Sequence, residues 1–292
     1  MKRKTILFTI ISIFILISAS AAILGFERST LIIKSQIIAS SVEEVRGQAP
    51  EGTYPLILLH GFDPTHTKTL GEKHMKNLQE QLVEEMNYTD KKILTTETIC
   101  AELQYSKNPI AIRVTYFDAF EIEGIEDYSN NLEKQIKKIT ECTGAEKVDI
   151  VAHSMGGVVS RHYIKNTQDP KIRKLIMLGT PNNGGLYGLA DLTELFVSNG
   201  SSIIDLDFIQ LSENHEFIQS LNENNWEKDT SVEYYTIAGK IDEKGDGVVL
   251  SESVKMQQSI HSTVSCRHLE INNPSNCPEA FKIIKSALNS EI

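Results

Sequence analysis

Apart from Lys2, Arg3 and Lys4, the sequence has no run of basic residues, and its 29 Lys+Arg are outnumbered by 39 Asp+Glu, a formal charge of −10 at pH 7. Binding to a nucleic-acid backbone draws on clustered cations, so that class of partner is excluded. The surplus of acid reads as a solubility feature. Cysteine is scarce: there are four, and no two stand at metal-ligand spacing, which argues against a cysteine-held metal. Disorder is excluded in turn, because 40% of the 292 residues are apolar, enough for one large core in a single α/β domain.

The N-terminus decides the compartment. Its three basic residues precede an uncharged run over residues 5–26, long enough at ~1.5 Å per residue to cross a hydrocarbon layer of about 30 Å. Residues 1–26 are therefore a targeting element. Ala19-Ser20-Ala21 resembles a cleavage site, which fits a removed signal peptide; the continuation through Ile23, Leu24 and Phe26 favours an uncleaved anchor with its basic end in the cytoplasm. Either way the rest of the chain is expected outside the cytoplasm, membrane-anchored or secreted. Residues 27–53, with Ser40-Ser41, Glu43-Glu44, Gly47 and Pro50, read as a linker or stalk, and residues 54–292 as the folded domain.

Cysteine usage agrees with export. Cys100, Cys142, Cys266 and Cys277 are an even number in a chain bound for an oxidising space. Four cysteines allow three connectivities. The short loop favours Cys266 with Cys277, leaving Cys100 with Cys142; four buried thiols are the alternative. Asn87-Tyr88-Thr89 and Asn199-Gly200-Ser201 fit the glycosylation sequon.

Along the domain, apolar strands alternate with amphipathic helices. Residues 54–62 form a short apolar run closed by His60-Gly61-Phe62, the pattern of a doubly buried strand. Met75, Leu78, Leu82 and Met86 recur at helical spacing, and residues 93–108 read as an irregular insertion around Cys100. Residues 110–116 are a second central strand, and Tyr128, Leu132, Ile136 and Ile139 mark a helix that ends near Gly144. Further strands are expected at residues 148–153, 172–178, 232–239 and 262–267, with a last helix carrying Phe281, Ile284 and Leu288. Short connections between alternating elements imply a mostly parallel sheet with helices on both faces. After the strand ending near Leu178 the alternation stops, and the apolar residues within 186–229 form a candidate lid over the site, or two ordinary packed helices.

The chemistry centres on residues 148–159. A buried strand runs into Ala152-His153-Ser154-Met155-Gly156 and leaves as a helix, placing a serine at a sharp turn. Such a turn strains the serine backbone, lifts its side chain clear of the sheet and aims the next N–H groups at whatever the oxygen attacks. Small residues are needed where strand and helix approach; Ala152 and Gly156 supply them, so the segment matches Gly-x-Ser-x-Gly except at its first position. A serine nucleophile needs a base, an acid that orients the base, and donors for the developing oxyanion. For donors, the N–H groups of Phe62 and Met155 are assigned, Pro64 having none. For the acid, Asp246 between two glycines is preferred, with Asp242 as runner-up; Asp242, Glu243 and Asp246 also fit a calcium-binding or solvated turn. For the base, His268 follows the last expected strand at the carboxyl rim, where open parallel sheets carry their sites. His261 precedes that strand, His60 is expected to brace its loop, and the side chain of His153 is expected to leave the elbow in another direction.

Serine, acid, histidine is the order expected of the α/β-hydrolase arrangement. His60-Gly61-Phe62, Ala152-His153-Ser154-Met155-Gly156-Gly157, residues 178–185, Gly245-Asp246-Gly247-Val248-Val249 and His268 together make the chain resemble an α/β-hydrolase of the lipase and esterase kind. That group includes triacylglycerol lipase-like and GPI-inositol deacylase-like members. The resemblance spans residues 54–288, departs from the pattern at Ala152, and offers no counterpart for residues 93–108. It implies hydrolysis of carboxylic esters through an acyl-enzyme on Ser154, with no metal or organic cofactor; lipid esters are the favoured substrates because an anchored domain with an apolar candidate lid sits at a bilayer. An acyltransferase on the same triad, or a silent hydrolase-like binding domain, are the alternatives.

Overall fold

The computed structural model describes residues 49–62, 73–105, 107–117, 124–187, 210–212 and 215–290. Seven strands form one parallel sheet: β1 (Leu56–Leu59), β2 (Thr89–Ile93), β3 (Ile110–Val114), β4 (Val148–His153), β5 (Ile172–Leu178), β6 (Glu233–Gly239) and β7 (Ser259–Val264), in the spatial order β2-β3-β1-β4-β5-β6-β7. The helices are α1 (Lys76–Met86), α2 (Cys100–Leu103), α3 (Ile125–Thr143), α4 (Met155–Asn166), α5 (Glu216–Leu221), α6 (Ser251–Val254) and α7 (Pro278–Asn289), with a 3-10 segment at Glu223–Asp229. This is the α/β-hydrolase architecture, and the described residues lie within one compact unit, Gly47–Ile292.

The continuous apolar runs follow from burial on both faces. In β1, Ile57 and Leu59 join a core with Ile125, Tyr128, Leu132 and Ile136 of α3 and Val158 and Val159 of α4; Leu56 and Leu58 join a second core with Leu78 and Leu82 of α1 and Phe281 and Ile284 of α7. In β5, Leu175 and Met177 take the first side and Ile176 and Leu178 the second. Strand side chains alternate with period two, so one run of residues serves two layers of helices. Helix α3 ends where expected: Gly144 adopts φ 74° and its N–H donates to Thr140 O at 2.8 Å, the left-handed stop glycine favours.

Two strands differ from expectation. Thr89-Asp90-Lys91-Lys92-Ile93 is a strand that carries no apolar run, because it pairs only with β3 and faces solvent beyond it. Its lysines and the register shift between Asp90 and Ile93 are devices that guard a sheet edge. Residues 93–108 accordingly begin at the end of β2 and contain α2. The last strand lies at Ser259–Val264 instead of residues 262–267, so His261 sits within it, opposite Thr236. As the other edge, β7 is half solvated, with Ile260 64% exposed, and apolar content alone misplaces such a strand.

Both expected disulfides are present, Cys100–Cys142 tying α2 to α3 and Cys266–Cys277 closing the loop between β7 and α7. By loop-closure entropy they contribute on the order of 4 and 3 kcal/mol. Among the described residues no helix is long and apolar enough to cross a membrane. The expected targeting element and most of the linker, most of the candidate lid, and Asn199 lie outside the described residues.

Candidate active site

The carboxyl ends of β1, β4, β5, β6 and β7 share one rim, and the loops leaving them bring the site residues together. Between β4 and α4 a single residue makes the turn: Ser154 has φ 51° and ψ −127°, and its N–H donates to Leu178 O at 2.8 Å. A non-glycine residue at such a φ is strained, and such strain gathers at functional turns. The turn is tight because α4 runs close to β1. A Cβ on Gly156 would collide with the carbonyl oxygen of His60, so only glycine fits there.

Ser154 Oγ donates to His268 Nε2 at 3.0 Å, and His268 Nδ1–H donates to Asp246 Oδ2 at 2.8 Å. All three residues are buried, at 7%, 5% and 1% exposure for Ser154, His268 and Asp246. The second carboxylate oxygen of Asp246 accepts the Val248 and Val249 N–H groups at 2.9 and 2.7 Å, which locks its plane. Asp242 is elsewhere: its Oδ1 accepts the Lys244 and Gly245 N–H groups at 2.7 and 2.9 Å. Those backbone donors, Gly245 first, hold its carboxyl below the usual range. Geometry therefore selects Asp246 over Asp242. Among the described residues no group of three His, Cys, Asp or Glu is arranged to hold a metal ion.

The main chain of His268 is fixed from both sides. Its N–H donates to Asp246 O at 3.0 Å, and its carbonyl accepts His153 Nε2–H at 2.9 Å. The Cys266–Cys277 bridge brackets the same loop. The His153 side chain does leave the elbow away from Ser154 Oγ, but nothing local to the elbow points to a carbonyl 115 residues away. Arg161, about two turns along α4, is also tied across the fold: at 1% exposure it pairs with Glu227 at 2.5 Å and donates to Asn222 Oδ1 at 2.8 Å and Asn182 O at 3.1 Å. A buried charge needs such partners, and they fasten α4 to the chain that follows β5.

His60 is fully buried and stacks on Tyr116 at 4.4 Å between centroids. Its Nδ1–H donates to Gly61 O at 2.7 Å while Nε2 accepts the Thr115 hydroxyl at 3.0 Å. It braces the turn carrying Phe62, as expected, and does not reach Ser154. That turn lies against Ser154: a Cβ on Gly61 would stand 2.9 Å from Ser154 Cβ. Met155 is the first residue of α4, so its N–H has no acceptor within the helix. The chain beyond Phe62, residues 63–72, is outside the described residues.

Four histidines thus crowd one locus. Burial, then the neighbouring His60 and His268, pushes His74 down to about 3. Burial likewise drives His153 well below its ordinary value. Unfolded, both titrate near 6.5. Below that pH the unfolded chain takes up protons that the folded chain refuses, so stability is flat above about pH 6.5 and declines beneath it. Urea unfolding at pH 7.5 and pH 5 should differ by about 2 kcal/mol from His74, with His153 acting in the same direction. Equal stability at the two pH values would contradict neutral burial.

A family model described as alpha/beta hydrolase of unknown function (DUF915) matches residues 46–279. Among solved structures, the mature lipase BlEst2 of Bacillus licheniformis superposes with TM-score 0.59 at 16% identity, over 82% of this chain and 94% of that one. The product of gene lin2722 of Listeria innocua gives 0.53 at 19%, over 82% and 95%. Phospholipase PlaB of Legionella pneumophila gives 0.54 at 15%, over 82% and 60%. At these identities the structures show a shared fold and nothing finer. With the family model spanning most of the chain, the protein belongs to the alpha/beta hydrolases of that family.

Proposed function

We propose that the protein is a serine carboxylic ester hydrolase that works through an acyl-enzyme on Ser154. The observation that carries this reading is the unbroken chain from Asp246 through His268 to the Ser154 hydroxyl, at 2.8 and 3.0 Å. His268 Nε2 takes the hydroxyl proton as Oγ attacks the ester carbonyl, then delivers it to the leaving alcohol; a water molecule follows the same route to release the acid. Asp246 keeps the proton on Nδ1 and stabilises the imidazolium that forms. The N–H groups of Phe62 and Met155 receive the oxyanion, a term typically worth several kcal/mol.

Lipid esters are the substrate class this reading favours. Residues 1–26 would deliver the domain to a membrane, and residues 27–53 would tether it. The lipase and phospholipase among the structural neighbours support the same class by analogy of fold. The test is labelling of the purified protein with a fluorophosphonate probe, which requires an activated serine. Wild type is expected to label and Ser154→Ala to remain unlabelled. An unlabelled wild type that is folded would overturn the hydrolase reading and leave a binding domain.

A further inference from the structure

We infer that His153 is a positioning residue of this site, its imidazole holding the base and the oxyanion turn in register with the nucleophile beside it; this rests on the hydrolase reading above. Three contacts carry it. His153 Nε2 lies 2.9 Å from the carbonyl oxygen of His268. A carbonyl can only accept, so the ring proton resides on Nε2. The opposite ring nitrogen, Nδ1, is buried with no hydrogen-bond partner, and a Cβ at residue 61 would come within 2.8 Å of it. The ring is therefore wedged between the turn that carries Phe62 and the loop that carries His268, while its own main chain leads straight into Ser154.

Neutrality follows from the surroundings. The titratable groups that face His153 are His268, at 4.7 Å between ring centroids, His74, also at 4.7 Å, and His60. Among the described residues no carboxylate stands against the ring to favour a charge, and a second proton on Nδ1 would have no acceptor. His153 is thus a fixed, uncharged donor. The bond it gives matters because it is the tie on the carbonyl side of His268, opposite the one its N–H makes to Asp246 O. With its N–H on Asp246 O, its C=O on His153 and its ring between Asp246 and Ser154, every polar group of His268 is committed. Removing one of these frees the base to shift, and a displacement of ~1 Å is enough to cost about a hundredfold in rate.

The test compares His153→Phe, which fills the space without a donor, with His153→Gln, whose amide nitrogen falls where Nε2 was. Rates are measured on p-nitrophenyl butyrate with the full chain, alongside fluorophosphonate labelling and thermal unfolding. For His153→Phe, kcat is expected to fall about thirtyfold or more with KM held within about threefold, and labelling of Ser154 to slow in parallel. His153→Gln should recover kcat to within about fivefold of wild type. A folded His153→Phe with kcat within twofold of wild type, or a loss confined to KM, or a His153→Gln as slow as His153→Phe, overturns the inference. Should His153→Phe not fold, His153→Asn, too short to reach the carbonyl, replaces it: a slow Asn beside a fast Gln supports the assignment, and equal rates overturn it. A wild type that neither labels nor hydrolyses overturns both proposals; a wild type that does both while the variants match it overturns only this one.

Discussion

Ser154→Ala is expected to lower kcat on a soluble chromogenic ester by about 10⁵- to 10⁶-fold, the largest effect of any single substitution in this protein. Its size follows from what is removed. Without Oγ no acyl-enzyme can form, and the remaining contribution is positioning plus the oxyanion donors, which in a comparable constellation leaves roughly 10³- to 10⁴-fold over water. Alanine at the same backbone angles keeps the turn, and Oγ has His268 Nε2 as its partner in the site. Thermal unfolding should therefore move by only a few degrees, on the order of 1 kcal/mol. Retention of even a tenth of the wild-type rate, in enzyme free of contaminating esterase, would remove Ser154 from the mechanism.

Asp246→Asn comes next, with an expected loss of about 10⁴-fold in kcat. The environment of the carboxylate dictates how the amide must sit. Val248 and Val249 N–H groups point at Oδ1 from 2.9 and 2.7 Å, so the amide oxygen takes that position and the NH₂ group turns toward His268. Two donors would then meet at Nδ1, and the imidazole escapes by moving its proton to Nε2. In that tautomer it cannot accept from Ser154. The substitution preserves shape and charge-free packing while inverting the direction of one proton, which separates orientation from structure. Asp242→Asn, on an exposed turn 4 residues earlier in the chain, serves as the control and should leave kcat within about twofold. Similar losses in the two variants would mean that the loop, rather than the carboxylate facing His268, is what counts.

How much of this was legible in the sequence depends on where each residue's partners lie. Strands β1, β3, β4, β5 and β6 announce themselves because they are covered on both faces and need apolar residues at successive positions. The edge strands do not: Thr89-Asp90-Lys91-Lys92-Ile93 pairs on one side only, and Ser259–Val264 carries three hydroxyl residues and a histidine where a buried strand would be aliphatic. The candidate site divides in the same way. Ser154 is legible because its strained turn imposes small neighbours within five residues. His268 is legible because chain order and rim position leave it the best-placed histidine. Asp246 and Asp242 lie in the same turn, and it is the direction of the loop that aims Asp246 at His268 and Asp242 at the Lys244 and Gly245 N–H groups. The contacts of His153 with His268 and of Arg161 with Glu227 join residues 115 and 66 positions apart. Such pairs leave no local trace, because each partner is selected by a surface that exists only after folding.

The backbone angles of Ser154 set function against durability at one position. A glycine would rest at φ 51° with no Cβ to strain, so the simplest relief of that tension is also the loss of the proposed nucleophile. The sturdier version of this fold is the inert one, and a search for thermostable variants made without an activity screen would drift toward it.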